Sequence, residues 1–297
     1  MEFKEDKFSW ESGTTWFKYF SNGDRDEKSP LVVLHGGPGA AHNYAHPIAD
    51  LLTNLDRPVL LYDQIGCGKS SHHQNAPEDF WTIDLFLTEL DLLLDHLNIH
   101  GDFHLLGHSW GGMLGMEYAV RKPEGLKGLI IANSTPSMQL WVKEADRLRL
   151  TLPESIQEIL SRNEKDGTTD SDEYTFACKV FYDNFLIRVP RSKYSYETAA
   201  QRNADPTVYH TMNGPSEFYV TGTLKDWDFV DRLKFIENKT LLLSGFYDES
   251  TPLLNEVMLQ GIPNASWELF SESSHSPFVE EPAKFSRIVE EFLRGCD

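Results

Sequence analysis

Gly107-His108-Ser109-Trp110-Gly111 sets a serine between two glycines, directly after the apolar run Phe103-His104-Leu105-Leu106 and before a helical stretch over 113–121. A serine on so tight a strand-to-helix turn presents its Oγ as a nucleophile, and the glycines let neighbouring backbone approach without a Cβ clash. The five-residue spacing alone is weak evidence; the strand–turn–helix context makes Ser109 the candidate nucleophile. A second glycine-rich segment, His35-Gly36-Gly37-Pro38-Gly39, follows the apolar run Leu31-Val32-Val33-Leu34. Such a loop can turn a main-chain N–H into the site and, with the N–H of Trp110, cradle the oxyanion of an acyl-transfer intermediate.

Serine is a poor nucleophile without a base, and the base must itself be oriented by a third group. In an α/β-hydrolase sheet the acid and then the histidine follow the serine, on loops after late strands. Asp248 stands just past Leu241-Leu242-Leu243, in Gly245-Phe246-Tyr247-Asp248-Glu249-Ser250-Thr251-Pro252. His275 stands just past 267–270, in Ser273-Ser274-His275-Ser276-Pro277, and is the one histidine of eleven that follows the last strand. Asp248 is preferred as the acid, with its neighbour Glu249 as the alternative.

The elements around these residues read as one α/β sheet. Phe8, Trp10 and then Thr15, Phe17, Tyr19 alternate about Ser12-Gly13, the pattern of a hairpin ended by Asn22-Gly23-Asp24. Buried strands are expected at 31–34, 59–62, 103–106 and 129–131, because their runs are apolar, and strands resume at 240–243 and 267–270. Helices are expected at 44–52, 80–97 and 113–121, with a last amphipathic helix carrying Phe285, Ile288, Val289, Phe292 and Leu293. This alternation predicts a mostly parallel sheet flanked by helices. Residues 135–225 show helical periodicity, a polar loop over 163–172 and no buried-strand run, so they are expected to form a helical cap. The hydrolase core is then 1–134 and 226–297.

Composition narrows the function classes. The 297 residues are 40% hydrophobic and 25% charged, which excludes a disordered chain. The formal charge of −19 repels phosphate backbones and anionic lipid heads, so neither a nucleic acid nor a membrane is the expected partner. It favours a cationic ligand. No apolar stretch approaches the ~20 residues of a membrane helix, and the acidic start Met1-Glu2-Phe3-Lys4-Glu5-Asp6 is unlike a signal peptide. Three cysteines without a CxxC pair suit a reducing cytoplasm, and neither a metal-ligand cluster nor a dinucleotide fingerprint is present, so no cofactor is expected.

The chain resembles the α/β-hydrolase proline iminopeptidase (prolyl aminopeptidase) family, especially its tricorn-interacting aminopeptidase branch. The matching blocks run almost from end to end: the His35 and Gly107 motifs, Asp63-Gln64-Ile65-Gly66-Cys67-Gly68-Lys69-Ser70, Met212-Asn213-Gly214-Pro215-Ser216-Glu217-Phe218, Gly222-Thr223-Leu224-Lys225-Asp226-Trp227-Asp228, and the segments around Asp248 and His275. The elbow is shared by many hydrolases, whereas the Asn-Gly-Pro-x-Glu-Phe and Tyr-Asp-Glu-x-Thr-Pro blocks are far more specific. The resemblance implies Ser109 as nucleophile, Asp248 as orienting acid, His275 as base, and Gly37 and Trp110 as oxyanion donors. It also implies that Glu217 and Glu249 hold the free amine of the substrate. Such a pair would pin a cationic α-ammonium at a fixed distance from the scissile carbonyl and reject chain-internal amides.

The expected function is therefore a serine aminopeptidase releasing an N-terminal residue, proline foremost, from short peptides through an acyl-enzyme. The alternatives are an amidase or esterase acting on a small amino-acid amide or a biosynthetic intermediate, and a non-catalytic ligand-binding member of the fold. The Ser–Asp–His set speaks against the last of these.

Overall fold

The computed structural model describes residues 2–23 and 26–297. The N-terminal alternation folds as a hairpin: β1 (Glu2–Trp10) pairs antiparallel with β2 (Gly13–Ser21), Trp10 opposite Gly13, so the turn falls at Glu11-Ser12. Of the residues expected to end the hairpin, Asp24 lies outside the described residues.

The apolar runs become β3 (Leu31–Leu34), β4 (Val59–Asp63), β5 (Phe103–His108), β6 (Leu126–Ala132), β7 (Lys239–Gly245) and the edge strand β8 (Ala265–Phe270). The sheet order is β1-β2-β4-β3-β5-β6-β7-β8, antiparallel at β1–β2–β4 and parallel from β4 to β8. Successive side chains of a strand point to opposite faces, and here both faces are covered. Val32, Leu34 and Leu105 pack with α2 (Ile83–His96) and α3 (Trp110–Ala119). Leu31, Val33 and Leu106 pack with α1 (His46–Thr53) and α11 (Pro282–Arg294). Each such fully buried aliphatic side chain contributes about 1.5–3 kcal/mol over its exposed state, which is why these strands tolerate no polar alternation. The helix expected over 80–97 begins only at Ile83, because Thr82 is extended and its hydroxyl caps the Leu85 N–H.

Between β6 and β7 the chain forms α4 (Met138–Arg149), α5 (Glu154–Asp166), α6 (Asp172–Phe185), α7 (Lys193–Ala204) and α8 (Thr207–Met212). Leu148, Ile156, Leu160, Tyr174, Phe181 and Phe218 give these helices an apolar cluster of their own. The polar loop expected over 163–172 is shorter. Residues 163–166 complete α5, Gly167 closes it in the left-handed conformation (φ 69°), and Ser171 already caps α6. Asn163 explains the misreading: its side chain accepts from Thr168 and Ser171 and so holds the turn from within the helix.

From β3 the chain crosses to β4 on one side, and from β5 it crosses to β6 on the other. This switch in direction opens a crevice at the carboxyl ends of β3 and β5. His35-Gly36-Gly37 leaves β3 there and Ser109 leaves β5, while Asp248 and His275 follow β7 and β8; α9 (Pro252–Gly261) and α10 (Pro277–Glu280) continue from those two loops.

Candidate active site

Ser109 occupies the residue between β5 and α3 at φ 58°, ψ −123°, a conformation that side chains other than glycine rarely adopt. The flanking glycines explain how it is held. A Cβ on Gly107 would stand 2.1 Å from the Gly111 carbonyl oxygen, and one on Gly111 would stand 2.0 Å from that of Leu34. The elbow packs directly on β3, which fixes the serine relative to the His35 loop.

Asp248 and His275 meet in the fold although separate loops carry them. The Nδ1–H of His275 donates to Asp248 Oδ1 at 2.7 Å. Asp248 is only 1% exposed and also accepts from Asn133 Nδ2 at 2.6 Å and from the Ser250 N–H at 2.8 Å. Its oxygens are therefore committed as acceptors to His275, Asn133 and Ser250. Ser109 and His275 line one cavity of about 170 Å³, and no hydrogen bond joins them.

The N–H of Gly37 and that of Trp110 donate to no other protein atom among the described residues. Gly37 sits at φ 113°, and Trp110 is the first residue of α3, where N–H groups lack intrahelical partners. Both residues line a small pocket beside Ser109. The Trp110 indole donates to Gln64 Oε1 at 2.9 Å, and Gln64 Nε2 donates to the His35 carbonyl at 3.1 Å, so the two glycine-rich motifs are braced by the Asp63–Ser70 block.

Glu217 and Glu249 line the same cavity as Ser109 and His275. Glu249 is 1% exposed, and neither of its carboxylate oxygens has a hydrogen-bond partner. Burial, together with the charges of Glu217 and Asp248, pushes its carboxyl well above the usual carboxylate range. Asp248 meets His275 Nδ1, while Glu249 Oε1 stands 3.8 Å from His275 Nε2 and makes no hydrogen bond to it. Glu217 is held through its backbone, its carbonyl accepting from Trp141 Nε1 at 2.7 Å, and its carboxylate pairs with Arg202 Nη1 at 3.4 Å.

Three contributors escaped sequence reasoning. Arg202 comes from α7, a helix with no buried residue and no distinctive motif. His108 lies inside the elbow motif but reads there as filler. Its Nε2–H donates to the His275 carbonyl at 2.7 Å, which leaves Nδ1 to accept from the Tyr44 hydroxyl at 3.0 Å. Tyr44 in turn accepts from the Gly36 N–H at 2.5 Å. Burial and the neighbouring His275 hold the His108 imidazole down at about 3, so it serves as a neutral spacer.

The α/β hydrolase fold family model matches residues 29–282. A proline iminopeptidase of Heyndrickxia coagulans is 38% identical over 90% of this chain and 91% of its own. Among solved structures, VinJ superposes with a TM-score of 0.96 at 42% identity, covering 99% of both chains. The proline iminopeptidase of Mycobacterium smegmatis superposes at 0.91 with 41% identity, covering 98% of both. Relatives this similar, matched over nearly their whole length on the same sheet and elbow, establish that the chain belongs to the proline iminopeptidase family of α/β hydrolases.

Proposed function

We propose that the protein is a serine aminopeptidase that releases an N-terminal residue, proline foremost, from short peptides. The observation that carries this reading is the pair Glu217 and Glu249 in one cavity with Ser109 and His275, one of the pair buried without a hydrogen-bond partner. A carboxylate in that position lacks a cation, and the α-ammonium of an N-terminal residue supplies one. His275 Nε2 takes the Ser109 proton as Oγ attacks the carbonyl. Gly37 and Trp110 N–H groups stabilise the oxyanion, His275 returns the proton to the leaving amine, and water then releases the acyl-enzyme by the same route. The pocket beside Ser109, walled by Pro38, Met113, Met138, Trp141 and Leu224, suits a compact apolar side chain such as the pyrrolidine ring. The helices α4–α8 act as a lid, a reading supported by Tyr182 of α6 and Arg202 of α7, which line the same cavity as Ser109.

An amino-acid amide or ester is the second reading, since such a substrate carries the same free amine next to a scissile carbonyl. The names of the relatives support the peptidase. No helix among the described residues is long and apolar enough to cross a membrane. We place the protein in the cytoplasm, where the free thiols of Cys67, Cys178 and Cys296 would persist.

A panel of aminoacyl arylamides, dipeptides and amino-acid amides, each with and without an N-acetyl group, tests the assignment. Prolyl substrates with a free amine should be turned over fastest and their acetylated forms at least tenfold more slowly. Equal turnover of both forms would reduce the protein to an unspecialised serine hydrolase.

A further inference from the structure

The charges around the amine pocket do not balance unless a proton is counted. Five groups face Glu249: Asp248 from its own loop, Glu217 from the segment after α8, Arg202 from α7, Tyr182 from α6 and His275 from the loop after β8. Asp248 is taken up by His275, Asn133 and Ser250, and Glu217 is paired with Arg202. Glu249 is left 1% exposed with both oxygens unpartnered. An ionised carboxylate enclosed without a hydrogen bond or counter-ion is strongly disfavoured, and no protein group donates to Glu249.

We infer that the pocket takes up the substrate ammonium in exchange for a proton held on Glu249. The inference rests on the amine-recognition reading above. In the empty enzyme the Arg202–Glu217 pair is neutral and Glu249 carries its proton. In the occupied enzyme the ammonium stands against the Glu249 carboxylate, and the proton has left to solvent. The exchange conserves charge: one cation enters and one proton departs, so the net charge of the pocket is the same in both states and the exchange is matched to a monocation. Arg202 is what makes one ammonium sufficient, because without it two carboxylates would face a single positive charge.

The test uses the S109A enzyme with intact prolyl-2-naphthylamide, titrated calorimetrically in pairs of buffers with different ionisation enthalpies from about pH 5 to about pH 8. The proton count per binding event should approach about one released in the interval between the pKa of the carboxyl in the occupied pocket and in the empty one, and fall toward zero outside it. With E249Q added, release should vanish and affinity for the free-amine ligand should fall about tenfold or more. Infrared difference spectra of S109A alone should show the protonated-carboxyl carbonyl band bleaching on ligand binding, which keeps the inference testable should the double variant not fold. Tight binding with no proton released at any pH and no bleached band overturns the exchange and leaves amine recognition standing. Release that persists undiminished in E249Q also overturns it. Equal affinity for the free-amine and N-acetylated ligands overturns amine recognition, and the exchange with it.

Discussion

The His108 side chain holds the His275 backbone: its Nε2–H meets the His275 carbonyl oxygen at 2.7 Å. Through Tyr44 the same imidazole reaches the Gly36 N–H, so the oxyanion loop and the base share one hydrogen-bonded strut. Removing the strut should loosen catalytic geometry. Tyr44→Phe is expected to lower kcat about tenfold, the equivalent of about 1.4 kcal/mol in the barrier. His108→Gln keeps a donor where Nε2 stood and should retain more activity than His108→Ala. Steady-state kinetics on one arylamide for the three variants reads both effects; equal losses in the Gln and Ala variants would deny the strut its role.

The same histidine makes stability depend on pH. His108 is held neutral in the fold at about 3, whereas in the unfolded chain it titrates near its ordinary value of 6.5. Below pH 6.5 the unfolded chain therefore binds a proton that the folded one refuses, and stability falls as pH drops toward 3. This contribution has a slope of about 1.4 kcal/mol per pH unit. His108→Gln lacks it, so its stability deficit against the parent, measured by denaturant unfolding, should be largest at neutral pH and narrow steadily on acidification. A deficit that is constant with pH would mean that the parent takes up the proton in the folded state.

The sheet and elbow were readable because most positions of the central strands are buried on both faces and carry apolar side chains. Leu31–Leu34 and Val59–Asp63 announce themselves by composition alone. The placement of Ser109, Gly37, Asp248 and His275 around one crevice was readable because each follows a strand at its carboxyl end. Arg202 was not, since nothing in the local pattern of a polar surface helix tells which side chain turns inward toward Glu217. Nor was His108, whose partners Tyr44 and His275 are 64 and 167 residues away. Contacts of that span are set by how the sheet closes, not by spacing in a motif.

Ser109→Ala should lower kcat by about three to six powers of ten, leaving only oxyanion and binding effects. The elbow conformation at φ 58° is imposed by its glycines and is as accessible to alanine as to serine, so the melting temperature should stay within a few degrees. Turnover at the parental rate on every active substrate would remove the serine mechanism.

Asp248→Asn and Glu249→Asp should separate orientation of the base from binding of the amine. An asparagine at 248 presents an amide where His275 Nδ1–H and Asn133 Nδ2 both need acceptors, so the imidazole loses its tautomer and kcat should fall by about four powers of ten. Glu249→Asp withdraws the carboxylate by one methylene from the substrate without touching His275 Nδ1, and should chiefly raise KM. Kinetic constants for the two variants on one substrate give the answer. A reversal, with the kcat loss at 249, would exchange the roles of the neighbours.

Glu217→Gln probes what the amine site reads. In the parent, the Glu217 carboxylate both faces the cavity and neutralises Arg202 at 3.4 Å. The glutamine removes the carboxylate and leaves the guanidinium of Arg202 uncompensated in the pocket. A substrate ammonium then loses a charge-assisted hydrogen bond worth about 1.5–3 kcal/mol, roughly ten- to a hundredfold, and meets a like charge besides. An N-acetylated substrate carries no charge there and loses little. The ratio of kcat/KM for the free-amine substrate to that for its acetylated twin should therefore shrink by at least tenfold in the variant. Were Glu217 only a solvated residue of the lid, the mutation would affect both substrates alike and leave the ratio unchanged. Arg202→Met distinguishes the two halves of the argument. It keeps the carboxylate but frees it from its partner, so affinity for the free amine should change while the acetylated substrate is again unaffected. Invariance of the ratio in both variants would show that the amine is read elsewhere, and the protein would stand as a serine hydrolase without the aminopeptidase gate.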